Sequence, residues 1–440
     1  MGGLMYIAFS FVTFLYFNIY IFDNVKIMNG GSVSLLLLAI CFCLSFYLIL
    51  YQAIKSNKIH IRKSTLLLVL FYIYVLIRIT IDTKNIEMFK SYLFSTSGGM
   101  ITFYVLGLFL TLVLKYFIHI VSNDKKELKK IVYIYLLYIL LHSYFLIDTY
   151  AYLIQGVRND FFTLVDVSGH QRSASFLVMN FIFMSALFIH IRLLSHDKFK
   201  KIIFLSSMIL YVNMLIAIIL SQLIGSNNGA VTITGILFLT ILIQISLSFK
   251  EHSYILFKYN LKPQSLFFGL ASRKLYASIF ILLVSFMLFA LLVMLFLNIE
   301  RNTFRIFECS GGLSPMTSRI SSYNNFLVQF NVSPVFGNII VDRLTTGDGT
   351  YVHNTIVSLL THLGLVGFFI FMFYIILSFK ELYIDNQYLF VTNGLRIYYT
   401  LLFMGVFSIA VIGTFFTWSP LWFLFGCIFP ALYIENGTKK

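Results

Sequence analysis

The stretch TLLLVLFYIYVLIRITI, from Thr65 to Ile81, decides the class of fold. Its only charge is Arg78, and Lys55, Lys58, Arg62 and Lys63 precede it. A run this apolar has no face for water, but it has the length of a helix crossing a hydrocarbon layer, where every backbone polar group is bonded internally. Runs of this kind recur along all 440 residues. Composition agrees: 59% of residues are hydrophobic and 11% charged, whereas a soluble domain carries about 25% charged residues. Soluble, disordered, collagenous and disulfide-scaffold classes are thereby excluded. The runs are continuous rather than alternating, which excludes a transmembrane barrel.

The expectation is an all-α polytopic membrane protein, one integral domain over residues 1–440 with about 12 transmembrane helices. The apolar runs are Leu4–Phe22, Val33–Ala53, Thr65–Ile81, Met100–Val121, Ile131–Ile154, Phe176–Ile191, Ile202–Leu223, Ala230–Leu247, Leu275–Leu297, Thr355–Leu377, Ile397–Phe416 and Trp418–Ile434. The last two are continuous and cross twice only with a tight turn near Ser419-Pro420. Leu4–Phe22 lacks a basic n-region and a small-residue cleavage site, so it reads as a retained span.

Alternate connections are strongly basic: Lys55 to Lys63, Lys125 to Lys130, Lys198 to Lys201 and Lys250 to Lys274. By the positive-inside rule these face the cytoplasm with both termini. The formal charge of +15 is therefore a topology signal and implies no nucleic-acid partner. Two of the outward connections are long, residues 155–175 and 298–354. Cys41, Cys43 and Cys427 lie in apolar runs and Cys309 in the larger outer loop, a spacing that suggests neither a disulfide framework nor a metal cluster.

The outward side has its own bias. Its lysines are Lys26, Lys84 and Lys90, whereas Arg158, Arg172, Arg301, Arg305, Arg319 and Arg343 fall in outer connections and Arg78 near the outer end of its span. Guanidinium offers a planar fork of donors that fits phosphate bidentately, so an arginine-selective outer face suggests a phosphate or pyrophosphate ligand. Solvated arginines, or arginines touching lipid headgroups, are the plainer explanation.

Arg172 stands before the span that starts at Phe176, where Ser173 or Ser175 could cap the helix and its N-terminus would favour an anion. In the larger loop Ser314-Pro315 reads as a helix start, with Arg319, Tyr323, Phe326 and Phe330 on one face and Ile320 and Leu327 beside them. That is an amphipathic helix at the outer interface, ended by a turn at Pro334 and Gly337. The loop closes on His353-Asn354 at the mouth of the next span. A histidine near its unperturbed pKa of about 6.5 can take a proton from a sugar hydroxyl. Asn354 could simply cap the helix, Gly364 and Gly367 could simply allow close packing, and His362, two turns deeper, suits an interhelical hydrogen bond.

The segment from Arg319 to Phe369 resembles the bacterial O-antigen polymerase and O-antigen ligase superfamily. The resemblance rests on Arg319 before an apolar helix, on Ser333-Pro334-Val335-Phe336-Gly337-Asn338, and on His353-Asn354 followed by Leu359-Leu360, Gly364 and Gly367. The twelve-span plan and the arginine loop at Arg172 extend it loosely over the chain. It implies a GT-C-type inverting glycosyltransferase of the bacterial inner membrane with its active site facing the periplasm. Such an enzyme takes a glycan from undecaprenyl pyrophosphate without a metal ion, cofactor or nucleotide sugar. The run Gly347 to His353 looks more like a polymerase, with a chain-length regulator as partner and lipid-linked repeat units as donor and acceptor.

On the resemblance, Arg172 and Arg319 clamp the pyrophosphate, His353 orients or deprotonates the attacking hydroxyl, and Asn354 and Tyr323 contact substrate. Glu300, Glu308, Asp342 and Asp348 are alternative bases. The chain departs from the family where a Ser-Arg or Thr-Arg pair is usual: here it reads Gly225-Ser226-Asn227-Asn228-Gly229-Ala230. Either Asn227 and Asn228 act as neutral donors or Arg301 and Arg305 supply the charge. A ligase acting on lipid A core differs only in acceptor. A twelve-span flippase or transporter is the rival from another class, although the halves show no convincing repeat.

The topology is testable with native thiols. A membrane-impermeant maleimide added to intact spheroplasts is expected to label Cys309 and to spare Cys41, Cys43 and Cys427. Labelling of Cys309 only after lysis would reverse the sidedness.

Overall fold

The computed structural model describes residues 33–56, 59–109, 125–155, 177–178, 180–182, 184–185, 187–189, 191–192, 200–223, 227–258, 325–346, 354–383, 419–429 and 431–434. Within them the elements are α1 (Val33–Ser56), β1 (Ile59–Ile61), α2 (Lys63–Asp82), α3 (Ile86–Phe109), α4 (Lys125–Gln155), α5 (Lys200–Leu223), α6 (Asn227–Lys258), α7 (residues 325–332), α8 (Val341–Thr346), α9 (Thr355–Tyr383), α10 (Ser419–Ile428) and β2 (Leu432–Ile434). Described residues between 177 and 192 are also helical.

Among the described residues, five helical stretches are long and apolar enough to cross a membrane: Lys63–Asp82, Ile86–Phe109, Val132–Tyr150, Lys201–Leu223 and Thr355–Glu381. Leu36–Tyr51 and Gly229–Gln244 are shorter apolar stretches. Thus the helical membrane character stands, while the runs starting at Leu4, Leu275 and Ile397 lie outside the described residues.

Three boundaries differ from the sequence expectation. The run placed at Met100 belongs to a helix that begins at Ile86, where the Asn85 side chain accepts from the Met88 amide at 2.7 Å. That helix passes through a π-helical stretch, Leu93–Gly98, whose small hydroxyl-bearing residues dilute the apolar signal. The helix expected over Ala230–Leu247 runs from Asn227 to Lys258, absorbing charged residues assigned to a connection. The run Trp418–Ile434 is a ten-residue helix and then a strand, because apolar composition alone does not distinguish the two.

Helix α2 shows why these sequences pack in lipid. Phe71, Val75 and Ile79 are fully buried on one side, while Leu66, Val69, Leu70, Ile73, Ile77 and Ile81 are exposed apolar side chains on the other. Water would penalise that outer face, whereas lipid tails accept it. The inner face meets α9 and α10 in an aromatic core. Phe71 lies 5.2 Å from Phe371 and 5.8 Å from Trp422 between ring centroids, and Phe371 lies 5.8 Å from Phe425. The Phe71–Trp422 pair is stacked and the other two are tilted.

One end of this group is tied by polar contacts. Buried Glu381 accepts from the Ser64 amide at 3.0 Å and the Ser64 hydroxyl at 2.6 Å, satisfying donors at the start of α2. Strand β1 pairs antiparallel with β2, His60 opposite Tyr433, and the Thr65 hydroxyl donates to the Ala431 carbonyl at 2.6 Å. The second connection and the segment Leu432–Ile434 therefore share one end of the bundle, as the charge pattern requires.

Helices α4, α5 and α6 pack consecutively through a buried polar seam: the Ser143 hydroxyl lies 2.9 Å from Asn213 Oδ1, and Tyr211 donates to Gln244. Helix α3 crosses α10 with backbone touching backbone at Gly107 and Gly426, and a Cβ at Gly426 would collide with the Tyr104 carbonyl. Small residues at such crossings let helices associate by close packing in lipid. Gly426→Leu is therefore expected to cost about 1–3 kcal/mol by overpacking. Thermal unfolding of the detergent-solubilised protein should show this, with Val231→Leu, at a 70% exposed position, melting like wild type.

Candidate functional site

The site is built on the segment Ser333-Pro334-Val335-Phe336-Gly337-Asn338. Helix α7 ends immediately before it, and the chain turns back with the Gly337 amide donating to the Ser333 carbonyl at 2.7 Å. Gly337 has φ +71°, the left-handed region that a Cβ disfavours. The turn expected at Pro334 and Gly337 is present.

Helix α9 is broken where this turn meets it. Gly364 has φ 63° and ψ −169°, so the helix stops and restarts around that residue. A break in lipid frees backbone groups that must find partners. Here the turn supplies them. The Leu365 amide donates to the Pro334 carbonyl at 3.0 Å, the Val366 amide to Val335 at 3.1 Å, and the Thr361 carbonyl accepts from Asn338 at 3.4 Å. Gly337 and Gly364 lie back to back, and a Cβ on either would collide with the other's backbone amide nitrogen. Gly364 thus does more than allow helix packing. Gly367 has the ordinary packing role, with the Tyr74 ring close against it.

Helix α2 clamps the pair. The Tyr74 hydroxyl donates to the Phe336 carbonyl at 2.6 Å and sits 3.1 Å from that of Leu363, spanning the turn and the broken helix. One turn on, Arg78 donates through Nε to Asp82 at 3.1 Å, through Nη2 to the other carboxylate oxygen, and to the Gly337 carbonyl at 2.7 Å. Asp82 also accepts from the Ile339 amide at 2.7 Å. Arg78 therefore serves the fold and is engaged where the outward-arginine pattern had grouped it with phosphate ligands.

Helix α8 follows the turn and brings Asp342 toward α9. Asp342 Oδ1 lies 3.8 Å from His362 Nε2, with the histidine side chain 1% exposed and the aspartate 15%. His362 Nδ1 lies 3.0 Å from the Ser358 carbonyl. Thr361 Oγ1 lies 3.0 Å from the same nitrogen, and Nε2 faces the carboxylate. The approach to Asp342 is longer than a hydrogen bond, and the Nδ1 contacts of His362 are to Ser358 and Thr361 of its own helix, so the interhelical hydrogen bond expected of this residue is not made to Asp342. Beside it, exposed Arg343 lies with its guanidinium carbon 5.6 Å from the Tyr92 ring centroid, a cation–π contact.

The break lies within the apolar stretch Thr355–Glu381. Gly364 precedes Glu381, which binds the start of α2, by a length of helix of about 26 Å at 1.5 Å per residue, most of a hydrocarbon thickness of about 30 Å.

Of the residues named from sequence, Arg172, Arg301, Arg305, Arg319, Tyr323 and His353 lie outside the described residues. Asn227 and Asn228 are the first two residues of α6. Asn354 is buried at the start of α9, its Oδ1 accepting from the Ile356 amide at 2.9 Å and Val357 at 3.1 Å, so that oxygen caps the helix. Phe326 and Phe330 stack at 5.5 Å on the expected face of α7, but Leu327 is exposed. The role of Tyr74 and the pairing of Asp342 with His362 were not read from sequence. The spacing of Arg78 and Asp82, four apart on a helix, was the available signal for their pair. No family model, curated protein or solved structure matches the chain.

The interlock makes an ordered prediction. A Cβ in the left-handed region costs about 1–3 kcal/mol before any collision, and removing one hydroxyl bond costs about 1 kcal/mol. Thermal melts should rank wild type above Tyr74→Phe, and Tyr74→Phe above Gly337→Ala and Gly364→Ala. Alanine variants that melt like wild type would remove the contact from the account.

Proposed function

We propose that this chain is a polysaccharide polymerase, a metal-independent GT-C-type glycosyltransferase of the bacterial inner membrane with about 12 crossings. It moves a growing glycan from undecaprenyl pyrophosphate onto the non-reducing end of a fresh lipid-linked repeat on the periplasmic side, with a chain-length regulator as partner. Arg172 and Arg319, with Arg301 and Arg305 near them, stabilise the charge that builds on the departing pyrophosphate. His353 handles the acceptor hydroxyl, and Tyr323, Asn227, Asn228 and Asn354 contact sugar. Attack opposite the leaving group inverts the anomeric carbon.

The reading is supported by one observation above others. The segments that carry the family resemblance, Ser333 to Asn338 and the stretch around Gly364, are apart in sequence yet complete each other's backbone hydrogen bonding. Motif letters that depend on one another physically are better grounds for a family reading than letters merely present in order.

A transporter of lipid-linked glycan is the second reading, favoured by the break in α9 with an ionisable pair beside it. Complementation separates the two. In a polymerase-null strain, wild type is expected to restore the polysaccharide ladder, while Arg319→Ala, Arg172→Ala and His353→Ala, expressed equally, leave a single capped repeat. A native deletion strain that accumulates lipid-linked repeats on the inner leaflet would favour the transporter instead.

A further inference from the structure

Helix α7 and the turn after it invert the pattern of a loop in water. Leu327, Val328, Val332, Val335 and Phe336 are exposed, Leu327 by 63% and Phe336 by 56%, while polar Gln329 is fully buried. Water penalises such a face and lipid tails accept it, as on α2. The face is also continuous with exposed apolar helix surface on both sides. The Phe336 carbonyl is held by Tyr74 of α2, whose neighbour Ile73 is exposed, and the Pro334 carbonyl by the amide of Leu365 on α9, itself exposed.

The backbone of the turn is bonded as lipid requires. The five consecutive carbonyls from Ser333 to Gly337 all accept from protein donors: the Gly337, Leu365 and Val366 amides, the Tyr74 hydroxyl and the Arg78 guanidinium. A turn in water can leave carbonyls to solvent, whereas irregular backbone at membrane depth must be bonded to protein. Arg78 and Asp82 pair with each other and direct their remaining bonds to the turn, as charged groups in a membrane do. Length gives the same depth. Gly364, against which the turn docks, stands about 26 Å of helix from Glu381, and exposed Lys63 and Lys380 flank the contact of Glu381 with Ser64. With that charged end at the membrane boundary, about 26 Å falls short of a hydrocarbon thickness of about 30 Å, and tilting the helix only shortens its reach. Tyr74, which holds Phe336, likewise lies two turns short of the end of α2 at Asp82.

We infer that residues 327–336 form a re-entrant element, lying within the bilayer with its apolar face against phospholipid acyl chains. The connection expected to be an outer loop, 298–354, then contains a stretch solvated by lipid and set deeper than the interface. The docked turn closes its own polar backbone against α2 and α9 and leaves only apolar side chains facing outward. The inference is independent of the activity proposed above.

The test reads what surrounds each position by spin-label accessibility. Full-length protein with Cys41, Cys43, Cys309 and Cys427 changed to alanine carries one new cysteine, Val335→Cys or Phe336→Cys, labelled with a nitroxide in phosphatidylcholine liposomes. Ile73→Cys, on the exposed apolar side of α2, is the lipid reference, and Lys84→Cys, exposed between α2 and α3, is the water reference. At both turn positions, collisions with a neutral water-soluble nickel chelate are expected to be severalfold rarer than at Lys84, with oxygen collisions as frequent as at Ile73. Nickel accessibility equal to that of Lys84 would place the turn in water and overturn the inference. Low accessibility to both reagents would overturn it too, because protein, a second copy included, would then cover the face. If the cysteine variants fail to fold, wild type decides, photolabelled in liposomes by a phospholipid with a diazirine in its acyl chain. Adducts within residues 327–336 are expected, and labelling of α2 and α9 without them overturns the inference.

Discussion

The backbone contact between Gly337 and Gly364 is the constraint around which one end of the described α2–α9 pair is organised. Each residue adopts a left-handed conformation, and each occupies the space that a side chain on the other would need. The break would be costly in lipid if its amides went unpaired. The turn is equally dependent, because the carbonyls of Pro334 and Val335 find their donors in α9. Neither conformation is stable without the other. Tyr74, Arg78 and Asp82 on α2 then hold the assembled pair from a third side.

Polar groups at opposite ends of α2 and α9 do similar work by different means. At one end a buried carboxylate, Glu381, closes the N-terminus of α2. At the other, the Arg78–Asp82 pair binds a carbonyl and an amide of the turn. Between them the contact is aromatic, through Phe71, Phe371 and Trp422. Aromatic packing resists separation of the helices but tolerates sliding, whereas hydrogen bonds at both ends fix the register. The position of the Ser333–Asn338 turn on α9 is accordingly set by the full length of the α2–α9 pair.

Much of this was legible in sequence at the level of elements. Thr65 to Ile81 reads as a crossing because nothing in it suits water, and α2 extends only slightly past those bounds. The turn at Pro334 and Gly337 was legible because both residues restrict the backbone in known ways. The break at Gly364 was not, since a glycine in an apolar run usually means close packing and its conformation here depends on a turn remote in sequence. The start of α3 was hidden by Glu87, Lys90 and the hydroxyl residues that follow, which lower the apolar signal inside a continuous helix. Arg78 was read for its charge and its side of the membrane; its partner Asp82 was four residues away throughout.

The same reasoning explains what such a break gives the chain around it. A continuous helix buries its backbone groups in its own ladder and offers an incoming loop only side chains. An interrupted helix offers amides and carbonyls, whose directional bonds can hold a loop in one pose. Residues just beyond the docked turn inherit that precision, and these are Asp342 and Arg343. The geometry that fixes this pose is contributed by two glycines with no reactive atoms of their own.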